Sequence, residues 1–242
     1  MALKERDELA TFVGVHDGKL EVRVKEGTPG SEKREKMKKG KGTGEFIHVK
    51  YYGSLEGTIK DVKKDIKEMP DGLKITSLKI YIDDVGDRYI LNFPYNSDLT
   101  RAFFCMMENI NYDFPVEFST GKSKDKKGKE RSSLFVKQHG ANIKWRYTKD
   151  YEYAKGEEKK PDWEQIEVKG ENVWDNTKEI RFFENIIKTK VLPLLRNKKE
   201  EAPKSVADDF DVPEYHDEPL IEDAVIDSNA ANGQEDDGDL PF

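Results

Sequence analysis

Several short stretches alternate so that aromatic and basic side chains fall together on one side of an extended chain. In Phe46–Tyr52, residues Ile47, Val49 and Tyr51 lie on one side and Phe46, His48, Lys50 and Tyr52 on the other. In Ile75–Ile82, residues Leu78, Ile80 and Ile82 share a side, with Lys79 and Tyr81 opposite. In Ser133–Gln138, Leu134 and Val136 oppose Phe135 and Lys137, and in Asn142–Thr148, Lys144 and Arg146 oppose Ile143, Trp145 and Tyr147. A groove for single-stranded nucleic acid needs this chemistry. Rings stack on bases of any identity, at roughly 1–3 kcal/mol per base, and cations follow the phosphates. The candidate binding set is Lys50, Tyr52, Lys79, Tyr81, Phe135, Lys137, Lys144, Trp145 and Arg146. Each also has an ordinary structural reading. Strand aromatics commonly pack in cores or across strands, and Trp145 and Tyr147 share a side with Ile143.

Nothing comparable argues for catalysis. His16, His48, His139 and His216 are scattered, and no H-E-x-x-H, C-x-x-C or G-x-S-x-G occurs. Gly14 to Lys19 is one spacer short of a phosphate-binding P-loop, and Leu20 stands where Ser or Thr is needed. Asp83, Asp84 and Asp87 read as a polar turn. Cys105, the lone cysteine, sits in Phe103-Phe104-Cys105-Met106-Met107 and reads as a small buried apolar residue. No catalytic residues, metal or cofactor are expected.

The elements that must position the binding set are short strands. Thr11–Val15 and Leu20–Val24 flank Asp17-Gly18, a strong hairpin signal. Strands are expected at Phe46–Tyr52, Leu55–Ile66, Ile75–Ile82, Arg88–Phe93, Phe114–Ser119, Ser133–Gln138 and Asn142–Thr148. Leu99, Phe103, Met106, Met107 and Ile110 fall at helical spacing after Asn96 or Ser97, either of which can cap. A last helix begins at Asn176, with Glu179 as part of a capping box, a stripe of Ile180, Phe183, Ile187 and Val191, and Pro193 expected to end or kink it. Residues 26–44 and 121–131 are rich in Gly and Lys and read as basic loops; residues 149–175 are polar, with Trp163 and Trp174 as anchors. The pattern is mainly β with added helices (α+β), a small barrel such as an OB-fold or a sandwich.

Charge divides the chain. Its 242 residues sum to −7, but residues 200–242 hold fifteen acids and one base, Lys204, and are −14, whereas residues 1–199 are +7. The first part is long enough for a real core. The second, with four prolines and few large apolar residues, cannot offset its ordering entropy by burial and is expected to be disordered. The longest apolar run, Phe103–Met107, is far short of the roughly 20 residues that span a bilayer. The start of the chain carries acids where a signal peptide is apolar. No membrane association and a cytoplasmic location, a host's if phage-encoded, are expected.

The acidic segment ends Asp236-Asp237-Gly238-Asp239-Leu240-Pro241-Phe242. An apolar, proline-restrained, aromatic end behind aspartates suits docking into a pocket with a positive rim. Asp236, Asp237, Asp239, Leu240, Pro241 and Phe242 form this tip. It resembles the C-terminal tip of bacterial and bacteriophage single-stranded DNA-binding proteins, with Gly238 interrupting the aspartate run. Residues 1–199 lack the N-terminal pattern of the bacterial members and carry two basic insertions, which points to the phage type. The resemblance implies an OB-fold body that binds single-stranded DNA cooperatively and without sequence preference. It also implies recruitment of replication, recombination or repair proteins, such as a polymerase, helicase or primase, through the tip. Self-association of the body stays open. Two rivals stand beside this reading: an acidic-tailed chaperone or adaptor for basic proteins, and a DNA-modifying enzyme with a similar recruitment tip.

Overall fold

Asp17 and Gly18 have φ of 53° and 71°. A two-residue hairpin turn that matches strand twist needs positive φ at both positions, and Asp-Gly supplies it. The turn joins β1 (Thr11–His16) to β2 (Lys19–Val24). The computed structural model describes residues 10–38, 41–69, 72–124, 128, 130–148, 151–168 and 171–201. Next come β3 (Glu32–Lys38), β4 (Lys41–Tyr52), β5 (Ser54–Glu68), β6 (Lys74–Asp84) and β7 (Asp87–Pro94). Helix α1 (Asp98–Met106) leads to β8 (Val116–Lys124), β9 (Glu130–Gln138) and β10 (Ala141–Asn142). A small hairpin, β11 (Glu164–Val168) and β12 (Glu171–Asp175), precedes α2 (Thr177–Ile186) and α3 (Leu192–Glu201). No described helix is long and apolar enough to cross a membrane.

The class is mainly β with added helices. Ten strands form one sheet in the order β10-β9-β8-β5-β6-β7-β1-β2-β4-β3. Among the described residues every pairing is antiparallel except β1 with β7. The ladder is open, with β3 and β10 at its edges, and does not close into a barrel. It curls enough for the β1–β2 turn to touch β8. Thr120 Oγ1 donates to the Gly18 carbonyl at 3.0 Å. A Cβ on Gly18 would lie 2.8–2.9 Å from Lys122 Cγ and the Gly121–Lys122 backbone, so the contact requires glycine.

One face of this sheet is the core. Val13, Leu20, Ile59, Leu78, Ile80, Ile82, Leu91, Phe118 and Val136 are buried there. The apolar positions of α1 pack into the same cluster as Leu99, Phe103, Met106 and Met107. Burial of each such side chain contributes about 1.5–3 kcal/mol. Ser97 caps α1 by accepting from Thr100 N at 3.3 Å. In α2, Asn176 makes no side-chain cap; Asp175 Oδ1 accepts from Thr177 N at 2.9 Å instead. The buried stripe of α2 and the turn that follows it is Phe182, Phe183, Ile186 and Val191, with Ile180 and Ile187 only half-buried. Pro193 does not end the helix. A π-helical turn, Ile187–Val191, lets Leu192 N–H reach back to Ile187 O and widens the helix just before the proline ring.

Four expectations need correction. Residues 26–44 are not simply a loop: they contain β3 and the start of β4. Within the expected loop 121–131, residues 121–124 continue β8 and residues 130–131 begin β9, paired from Gly121↔Ser133 to Lys124↔Glu130. Lysine and glycine are compatible with a ladder at a solvent-exposed end, because the bonds are made by backbone. Of the expected strand Asn142–Thr148 only Asn142 is strand, as the second residue of β10. Beyond it, Arg146 N–H bonds to Cys105 O at 2.7 Å, and Tyr147 is buried against Tyr151, Phe182 and Phe183. The polar stretch 149–175 holds the β11–β12 hairpin. The acidic segment starts inside α3 at Glu200 and Glu201; residues 202–242, including the tip, lie outside the described residues.

Candidate nucleic-acid interface

Directly paired residues in a sheet point the same way, so the registers define the face opposite the core. On β6, Lys79 and Tyr81 occupy it, paired with Lys63 and Asp61 of β5. Across β7, Asn92 pairs with Lys79 and Ile90 with Tyr81, and Ile90 pairs in turn with Phe12 of β1. On β2 and β4, Glu21 faces Tyr51 and Arg23 faces Val49. On the other wing, Phe135 and Lys137 of β9 pair with Ser119 and Glu117 of β8. Aromatic residues therefore recur along the outer face at Phe12, Tyr51, Tyr81 and Phe135.

Cations accompany these rings. Lys63 Nζ lies 4.9 Å from the Tyr81 ring centroid, Lys79 Nζ 5.8 Å from Phe12 and Lys19 Nζ 5.6 Å from Tyr51. Such placements are attractive through the ring quadrupole. Carboxylates on the same or an adjacent strand hold several cations of this face. Lys79 pairs with Asp65 at 2.9 Å, Lys63 with Asp61 at 3.1 Å and Lys137 with Glu117 at 3.7 Å. Arg34 Nε and Nη2 grip the two Glu21 oxygens at 2.9 and 2.7 Å, a bidentate pair. Burial, then Glu21, pushes the Tyr51 phenol up to about 12, so it stays neutral. Burial, then Arg34, pushes His16 down, which favours an uncharged ring near neutral pH. Phe135 is 48% exposed and its ring is open to solvent.

Of the nine candidates, four share this face: Lys79, Tyr81, Phe135 and Lys137. Lys50 and Tyr52 do not. They pair with Val22 and Leu20, whose side chains turn toward the core, so the expected sides of β4 are reversed. Tyr52 overhangs the rim, 43% exposed, while Val49 is buried on the outer side. Lys144, Trp145 and Arg146 lie elsewhere, in the irregular segment after β10. There Asn109, Lys144, Trp145, Arg146, Thr148 and Tyr151 line a shallow hollow. Arg146 is engaged internally, with Glu157 at 3.1 Å and Glu108 at 3.8 Å, and packs over Tyr151. Trp145, 36% exposed, is the open ring of this group.

Phe12, Lys19, Tyr51 and Lys63 belong to the outer face but not to the sequence-derived set. Alternation placed Tyr51 with the apolar Ile47 and Val49, and Lys63 lies beyond the β5 bulge between Ile59 and Asp61, which shifts its side. The Asp17-Gly18 turn was the signal that could have located Phe12 and Lys19, since it fixes the β1–β2 register. Among the described residues, no three His, Cys, Asp or Glu side chains converge to hold a metal ion. No protein-family model matches the chain, and no match to it is found among curated proteins or solved structures.

Proposed function

We propose that this chain is a non-enzymatic protein that binds single-stranded DNA without sequence readout, through the outer face of its sheet. Phe12, Tyr51, Tyr81 and Phe135 stack on bases, and Lys19, Lys63, Lys79 and Lys137 meet the phosphates. The observation that carries this reading is the recurrence of ring and cation on one face, opposite the face that is the core. The +7 of residues 1–199 supports it. The curl of β8-β5-β6-β7-β1, α1 between β7 and β8, and the return of the β1–β2 turn to β8 support an OB-like body. The acidic segment, ending in Asp236–Phe242, would recruit replication or repair proteins and compete with DNA for the basic surface.

Fluorescence anisotropy of the full chain with labelled poly-dT and with duplex tests this. Preference for single strands and a steep loss of affinity with salt are expected. Deleting residues 233–242 leaves or raises the affinity. Equal affinity for duplex, or weaker binding after the deletion, refutes the reading. The rival, an acidic-tailed adaptor, predicts no single-strand preference and tail-dependent capture of basic proteins.

A further inference from the structure

The outer face carries one small device twice. On β6, Lys79 and Tyr81 are two residues apart on the same side, and Asp65 of β5 holds the lysine at 2.9 Å. On β9, Phe135 and Lys137 are two residues apart on the same side, and Glu117 of β8 holds the lysine at 3.7 Å. Each unit is a ring, an ammonium about two residue rises away, and a carboxylate on the adjacent strand. Water reaches both pairs: Lys79 is half-buried at 23% exposed and its partner Asp65 is 44% exposed, and Lys137 and Glu117 are 39% and 36% exposed. Exposed pairs of this kind add little to stability. Their chemistry is that of an anion on a cation beside an aromatic surface, which is also how a nucleotide presents its phosphate and base.

We infer that these units are two equivalent nucleotide subsites, and that Asp65 and Glu117 occupy the phosphate positions in the free protein. This rests on the single-stranded DNA reading above. A phosphate arriving at Lys79 or Lys137 displaces the carboxylate, which then sits beside a like charge. The carboxylates thus hold the lysines in place and lower the affinity. Along β5, Asp65 lies nine positions beyond Glu56, the partner of Glu117, with one bulge between them, roughly 25–30 Å of strand. One oligonucleotide must bridge that span to use both subsites.

Anisotropy of the full chain with dT oligonucleotides of about 4 and about 16 nucleotides, lengths that bracket common site sizes, tests the inference. D65N and E117Q each raise affinity about three- to tenfold at low salt, by removing a charge near the phosphate. K79A and K137A each weaken binding and each flatten the log-affinity against log-salt slope by about 0.7. On the long oligonucleotide the two losses add; on the short one, each single variant retains binding at the other subsite. E164Q removes the same charge from the exposed pair with Lys178, outside the face, and leaves affinity unchanged. Thermal melting of D65N and E117Q matches the parent. The inference is overturned if D65N and E117Q do not strengthen binding while K79A and K137A weaken it, or if E164Q strengthens it equally. If the parent chain does not bind dT at all, it is the proposed function that fails.

Discussion

Glu179 is only 2% exposed in α2, a position where an unpaired carboxylate would be costly. It is fully engaged. Trp163 Nε1 donates to it at 2.7 Å, Lys160 Nζ at 2.9 Å, and Arg101 Nη2 stands at 3.4 Å, with the Arg101 guanidinium over the Trp163 ring. The sequence suggested a helix-capping role for this residue; instead it ties the segment before β11 to α1 and α2. Replacing it with alanine leaves the Lys160 ammonium, whose side chain is only 15% exposed, without its counter-charge, and the indole N–H without an acceptor. Breaking a buried pair by removing one partner costs about 3–5 kcal/mol. Glu179→Gln keeps an acceptor for the indole and loses only the charge, so about 1–3 kcal/mol is expected. Urea unfolding followed by circular dichroism reads both. At an m-value of about 2 kcal/mol/M, Glu179→Ala lowers the midpoint by about 1.5–2.5 M with m unchanged. A midpoint shift for Glu179→Ala no larger than that for Glu179→Gln would refute the charge argument. A loss under about 0.5 kcal/mol, the size expected at an ordinary surface site, would refute the anchoring role itself.

Gly18→Ala should destabilise by about 1–3 kcal/mol, because the site combines φ of 71° with backbone at 2.9 Å, and a melt no lower than the parent's would contradict the contact on β8. Phe103→Ala, at a fully buried position beside Phe118, should cost about 3–5 kcal/mol in chemical denaturation. Burial pushes the Glu184 carboxyl up, but hydrogen bonds from Lys64 and Tyr95 outweigh it and hold the group below the ordinary carboxylate range. Its stabilisation is therefore complete above about pH 4.3, the ordinary glutamate value, and is lost as pH falls through the lowered one. Glu184→Gln should flatten that limb of an acid-unfolding curve; an unchanged limb would show that the pairs carry no linkage.

What could be read from the sequence depended on whether one strand carried the information. Leu78, Ile80 and Ile82 against Lys79 and Tyr81 were legible, because β6 lies mid-sheet and its alternation maps directly onto core and solvent. Leu134 and Val136 against Phe135 followed the same rule. The rule failed on β4, which has apolar residues at 47 and 49 and aromatics on both sides. There the deciding fact was the pairing of Lys50 with Val22 and Tyr52 with Leu20, and register belongs to two strands. Val49 shows why burial alone misled. It is fully covered, yet it lies on the face that holds the Glu21–Arg34 pair, outside the main cluster. After β10, tertiary packing overrode local pattern. Arg146 and Tyr147 alternate as a strand would, but Glu108, Glu157 and the α2 aromatics satisfy them in an irregular path. The small hairpin at 164–175 carries mostly polar residues, and only Ile166 and Val168 alternate in it, too short a pattern to mark a strand.

The parallel pairing of Phe12 with Ile90 joins residues 78 positions apart, while β5, β6 and β7 form a meander of local pairs. Closing so long a loop costs entropy before its contacts give anything back, and pairings of this kind form late. During synthesis, β1 and β2 leave the ribosome first, yet β1 must wait for β7 to be made. The outer face is therefore expected to mature in a defined order. Tyr81 and the β5 cations can be assembled from neighbouring sequence, whereas Phe12 and Tyr51 reach their places only when the amino-terminal strands dock. A kinetic experiment that separates the two wings should see the Phe12 side arrive in the slow phase.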